Sequence, residues 1–96
     1  MAAVAITQSA VDDLNRLVLT LSLPSSTQDR VRASLLHLED FPRIGRPLTG
    51  RWEGVRVVLG PWSWMLILYV YDEAEDLVVV VAIHDARSAA AAAANG

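Results

Sequence analysis

Two apolar runs held apart by five residues constrain this chain more than anything else in it. "WSWMLILYVY" (62–71) and "LVVVVAIH" (77–84) flank "DEAED" (72–76), a loop with four acids. Each run is rich in β-branched and aromatic residues, which favour strands. Each is also far short of the ~20 residues a membrane helix needs. The acidic loop turns the chain, so the runs pair as an antiparallel hairpin. Neither run alternates with polar residues. Strands apolar on both faces belong in the middle of a sheet, with something covering each side. A chain of 96 residues makes one domain and has too little length for a helical layer on both faces. Either the sheet curls on itself or a partner covers the second face.

The helical material lies before the hairpin. "AVAI" (3–6) reads as a short first strand. In the segment after it, Val11, Leu14, Val18 and Leu21 recur at helical spacing, and Ser9 with Asp12 three residues on resembles a capping box. Pro24 closes that helix. Ser26 with Asp29 opens a second, whose stripe is Val31, Leu35, Leu38 and Phe41, and Pro42 ends it. A short Leu-Pro-Ser link makes the pair an αα-hairpin. His37 reads as a residue of the helix surface. "PRIGRPLTGRWEG" (42–54) is turn-rich, and Val55 to Leu59 reads as a strand with Arg56 at an outward position. The expected fold is α+β: an N-terminal strand and an αα-hairpin packed on a small antiparallel β-sheet. It spans residues 1–88 as one domain, followed by an alanine-rich tail at 89–96 that alanine propensity alone cannot hold as a helix.

Composition excludes several kinds of chemistry. There is no cysteine, so no disulfide, thiolate zinc site or Cys nucleophile is available. The two histidines, His37 and His84, are too far apart in sequence to suggest a metal-ligand set, and no cofactor is expected. The N-terminus has no basic segment and meets Asp12 early, unlike a signal peptide. The chain reads as soluble and cytoplasmic, with no membrane partner.

Net charge is −3, and all eight basic residues are arginine. Arg43, Arg46, Arg51 and Arg56 share their segment with a single acid, Glu53, so that stretch carries +3 and the remainder −6. A cationic patch on an acidic body argues against a general nucleic-acid binder and leaves room for one focused anion site.

"AIHDARS" (82–88) is where the last strand stops, and it stops at proton-handling and anion-binding side chains. His84 has the pKa range for general acid or base work. Arg56 and Arg87 are suited to clamp a phosphate. Cleavage of a phosphodiester would need all three to converge. The alternative is that His84 caps a strand and Asp85 pairs locally with Arg87. Trp62 and Trp64, two apart, read first as core, and Trp52 as a contact residue.

"FPRIGRPL", "GVRVV", "LILYVYD" and "VVVAIHDARS", in that order, resemble the RelE/ParE superfamily of type II toxins. The His-x-x-Arg after the last strand favours the ParE branch. The resemblance implies a toxin neutralised by a cognate antitoxin, held here by Arg43, Arg46, Arg51 and Trp52. It implies DNA gyrase as target, and His84, Arg87 and Arg56 are the candidate residues of toxicity on their chemistry. Ribosome-dependent mRNA cleavage, as in the RelE branch, is the alternative, and a decayed toxin that only binds antitoxin is a third. Against cleavage, Leu66 stands where the nuclease branch has an arginine before its central-strand Tyr, and the tail lacks a tyrosine. Without its antitoxin such a chain should self-associate.

Overall fold

A computed structural model describes residues 1–87, so the expectation for the 89–96 tail lies outside the described residues. The elements are β1 (Ala3–Ile6), α1 (Gln8–Thr20), α2 (Thr27–Asp40), β2 (Arg46–Pro47), a single 3-10 turn (Gly50–Trp52), β3 (Arg56–Leu59), β4 (Met65–Asp72) and β5 (Leu77–Asp85). They form one five-stranded sheet in the order β1-β5-β4-β3-β2. The architecture is α+β, as the patterning indicates. The β4–β5 hairpin lies in its middle, and only β1 runs parallel to its neighbour. A parallel pair needs a long crossover, and the intervening helices are part of it.

Both helices pack on one face of the sheet. Met65, Ile67 and Tyr69 of β4 and Val78, Val80 and Ile83 of β5 meet Ala10, Leu14, Val31, Leu35 and Leu38, and all are buried. Full burial of each large aliphatic side chain stabilises the fold by about 1.5–3 kcal/mol. A β-bulge is what lets Val78, Val80 and Ile83 share that face. Leu68 pairs with Ala82 but Tyr69 with Val80, leaving Val81 unmatched. The extra residue flips the alternation, so Ile83 returns to the core side. The other face carries Leu66, Leu68 and Val70. Leu68 is only 2% exposed although it stands outside the helix-side cluster.

Three local expectations change. Thr7, not Ser9, caps α1: its hydroxyl accepts from the Ala10 N–H at 3.2 Å. The Thr7 N–H donates to the Val80 carbonyl, so the chain turns into the helix directly off the end of β1. The buried face centres on Ala10 and Leu14, with Leu17 and Val18 packed beside them, and Leu21 lies at the exposed margin. In α2, Val31, Leu35 and Leu38 are buried, but the helix ends at Asp40 and Phe41 is 60% exposed. In β3, Val58 rather than Val57 packs on the helix-side core. Arg56 pairs with Tyr69 and Val58 with Ile67, so Arg56 shares the helix-side face instead of pointing away from it.

β5 outruns β1, and α1 completes its edge. The Ile83 N–H donates to the Asp13 carboxylate at 3.1 Å, which satisfies a strand edge that β1 no longer reaches. Thr7→Ala should cost about 1 kcal/mol, the usual loss for a helix cap. Urea unfolding should show a lower midpoint at unchanged slope.

Candidate functional site

The turn-rich segment is held to the sheet at Gly45. Its N–H donates to the Tyr69 hydroxyl at 2.9 Å, and its carbonyl accepts from Arg56 Nη1 at 2.8 Å. Arg56 Nη1 also donates to the Arg43 carbonyl at 3.1 Å. A side chain at Gly45 would put its Cβ 2.6 Å from the Tyr69 oxygen, so the close approach requires glycine. Of the four arginines in the cationic stretch, Arg56 is thus engaged in holding the loop. Arg43 forms an ion pair with Glu73 of the acidic turn, and its guanidinium lies 5.2 Å from the Tyr71 ring centroid. Arg46 and Arg51 are exposed and make no salt bridge among the described residues. Trp52 is half-buried in the 3-10 turn beside Arg51.

The end of β5 is organised by stacking. Arg87 donates from Nε and Nη2 to the two Asp85 oxygens, each at 2.8 Å, and Asp85 also accepts the Arg87 N–H. The guanidinium lies 4.8 Å from the Trp64 centroid. Trp64 stacks on Trp62 at 5.8 Å and an interplanar angle of 12°, and Arg30 of α2 lies 4.5 Å from the Trp62 centroid. The Trp pair packs against the core cluster from the loop before β4. The Arg87 contact draws the Asp85 carboxyl below its ordinary value, and the same contact raises the guanidinium. Arg87 is therefore a fixed cation, 61% exposed, with Nη1 not bound to Asp85.

His84 lies elsewhere. It pairs with Leu66, and the next residue across on β3 is Leu59, so its row on the uncovered face is apolar. The structure does not bring His84, Arg56 and Arg87 together. Arg56 is on the opposite face at Tyr69, three residues along β4, or about 10 Å. The guanidinium of Arg87 sits over the helix-side Trp64. Leu66, the position singled out by its missing arginine, is directly opposite His84. Among the described residues no acidic, His or Cys cluster suits a metal ion, and no helix is long and apolar enough to cross a membrane. Near the end of α2, Phe41, Ile44 and Leu59 are 57–62% exposed, and Ile44 and Leu59 line a shallow apolar cleft of about 220 Å³ beside His37.

Sequence reasoning missed Tyr69, Gly45, Glu73 and Trp64 as parts of these sites. Only Gly45, a glycine between two arginine-bearing turns, carried a local signal. Tyr69 and Glu73 act through partners 20 or more residues away, and Trp64 links its near neighbour Trp62 to the distant Arg87.

The sequence matches the family model for the ParE toxin of type II toxin–antitoxin systems (parDE) over residues 4–89. The fold matches a chain of the intact Escherichia coli RelBE toxin–antitoxin complex, with TM-score 0.67 and 14% identity, over 92% of this chain and 100% of that one. A doubly substituted E. coli RelE in the free state matches with TM-score 0.69 and 14% identity, over 99% and 95%. A RelBE toxin–antitoxin complex from Mycobacterium tuberculosis matches with TM-score 0.62 and 23% identity, over 88% and 96%. No curated protein sequence matches the chain significantly. The fold is that of small bacterial toxins of the RelE/ParE type. The chain belongs to the ParE toxin family of type II toxin–antitoxin systems.

Burial raises the Tyr69 phenol above its ordinary 10.0, outweighing the lowering by the Gly45 N–H and Arg56. The fold prefers the neutral phenol, so its stabilisation is complete below pH 10.0 and is lost as pH rises through the folded-state value. Tyr69→Phe should cost about 1–3 kcal/mol at neutral pH by leaving the Gly45 N–H buried and unpaired. It should also flatten the fall in stability above pH 10.0, measured by urea unfolding at several pH values. Tyr71, whose phenol is raised chiefly by its hydrogen bond to Asp76, should contribute to the slope left in the variant.

Proposed function

We propose that this toxin arrests growth by binding an essential protein, DNA gyrase being the target its ParE kinship implies, and that a cognate antitoxin neutralises it. The observation that supports binding over mRNA cleavage is the separation of the candidate groups. Phosphodiester cleavage needs a proton-transfer group and cations at one phosphate. Here His84 faces an apolar row, Arg56 is engaged with two loop carbonyls, and Arg87 stands on the other side of the sheet end. Such an arrangement suits recognition better than acid–base chemistry.

Arg87 is the residue we assign to target contact. Asp85 and Trp64 hold its planar fork at the end of a rigid strand, and a preorganised cation loses little freedom on binding a carboxylate or phosphate. The antitoxin, in turn, would engage the loop through Arg43, Arg46, Arg51 and Trp52 and cover the apolar strip of Phe41, Ile44 and Leu59. Its complement is an amphipathic segment with acidic side chains.

The purified chain should inhibit supercoiling by gyrase and leave mRNA intact on translating ribosomes in primer-extension assays. Codon-positioned cleavage with unimpaired gyrase would reverse the assignment. Arg87→Ala should abolish growth arrest while antitoxin binding survives. His84→Gln should weaken arrest only modestly, since no proton-transfer role is lost. If both variants, expressed at the parental level, arrest growth as the parent does, the strand end is structural. The chain alone should self-associate with rising concentration, as judged by sedimentation, and co-expressed antitoxin should suppress this.

A further inference from the structure

The acidic β4–β5 turn does more than reverse the chain. Glu73 reaches back across the sheet edge to Arg43, at the mouth of a cleft of about 220 Å³. Arg43, Arg56, Pro47, Val55 and Tyr71 line that cleft together with Glu73. Its lining is mixed: Arg43, Arg56 and Glu73 are interleaved with the Tyr71 ring, which lies 5.2 Å from the Arg43 guanidinium, and with Pro47 and Val55. Gly54, also at its rim, has a positive φ of 90° and nothing within 4 Å of where a Cβ would stand, so the entrance is open.

We infer that this cleft is a carboxylate-binding subsite for an acidic side chain of a protein partner, and that Glu73 is its built-in competitor. The inference deepens the proposed antitoxin contact by naming one pocket of it, and it rests on that reading for the partner's identity. The occupant's chemistry comes from the cleft itself. Arg43 already holds a carboxylate, supplied in cis. Arg56 is pinned by the Arg43 and Gly45 carbonyls, so the second cation cannot swing away. A peptide acid flanked by apolar residues matches the Pro47, Val55 and Tyr71 wall. A nucleic-acid backbone matches poorly, because its evenly spaced phosphates would run past Asp72, Glu75 and Asp76, which repel each of them.

The internal pair is weak enough to be displaced. Arg43 and Glu73 side chains are 58% and 67% exposed, and exposed ion pairs shift equilibria only modestly. Glu73 therefore acts as a filter. A neutral or poorly fitting ligand cannot displace it, whereas a carboxylate that also gains the apolar wall can. Its removal should help any acidic ligand by the small factor that an exposed pair represents.

The experiment uses the full chain at concentrations where it is monomeric, at low ionic strength, with the single-acid peptide acetyl-Val-Glu-Val amide as the probe. Acetyl-Val-Gln-Val amide serves as the neutral control and a thymidine tetranucleotide as the phosphate control. Binding is followed by the NMR shifts of the Arg43 side-chain Nε–H and the Gly54 and Val55 amides. The glutamate peptide should move these signals and the glutamine peptide should not. Glu73→Gln should lower the peptide's Kd by about two- to fivefold, and Arg43→Gln should remove the response. Both changes are at exposed side chains, and retained amide dispersion checks that the fold is intact.

An unchanged or raised Kd in Glu73→Gln would overturn the competitor role. Shifts confined to Arg46 and Arg51 would overturn the cleft as the site. Tighter binding of the tetranucleotide than of the peptide would overturn the carboxylate assignment. No antitoxin enters this test, so a chain that binds the peptide as expected but arrests no growth overturns the proposed function and leaves the subsite standing.

Discussion

Gly45 is held at both its N–H and its carbonyl, and the placement of the functional loop depends on that grip. The two partners come from adjacent strands: Tyr69 from the middle of β4 and Arg56 from the start of β3. Buried backbone polar groups must find partners, and here the partners are side chains rather than a ladder. The contact is too close for any side chain at residue 45. The loop therefore enters β2 at one height and register, with Arg46 opposite Val57 and Pro47 opposite Arg56. Arg43 and Arg46 project from a segment whose position the sheet core decides.

That grip also redistributes charge. In the sequence, four arginines form one basic block and four acids another, some 20 residues apart. In the fold the blocks become neighbours, because β3 and β4 carry the chain from the basic loop to the acidic turn at the same end of the sheet. Arg43 meets Glu73, and Arg56 turns inward to backbone carbonyls. The cationic surface is consequently smaller than the composition of residues 43–56 suggests, and of its four arginines only Arg46 and Arg51 are bound neither to an acid nor to a carbonyl among the described residues. A surface of this kind selects partners by local geometry more than by long-range field.

At the other end of the sheet, the column of Arg30, Trp62, Trp64 and Arg87 joins α2 to the end of β5. Each contact is of modest strength, about 0.5–1 kcal/mol at an exposed site. Their value is positional. The Ala86 N–H donates to the Trp64 carbonyl at 2.6 Å, so backbone and ring together set where Arg87 stands. His84, one pleat away, faces the opposite side and takes no part in that column.

The hydrophobic patterning of the sequence by itself determined the α+β class, the two helices and the central hairpin, because burial on a regular element imposes a period that can be counted. It also marked the residues with useful chemistry, since His, Arg and Trp are few. Pairings with distant partners were decided only by tertiary structure. The bulge at Val81 sets which side each β5 residue faces, and no local pattern encodes it. Thr7 displaced Ser9 as the helix cap because β1 ends against Val80, a contact across more than 70 residues. His84, Arg56 and Arg87 look like one constellation along the chain. Strand alternation and sheet order separate them, because a side chain's face depends on register and register depends on the whole core.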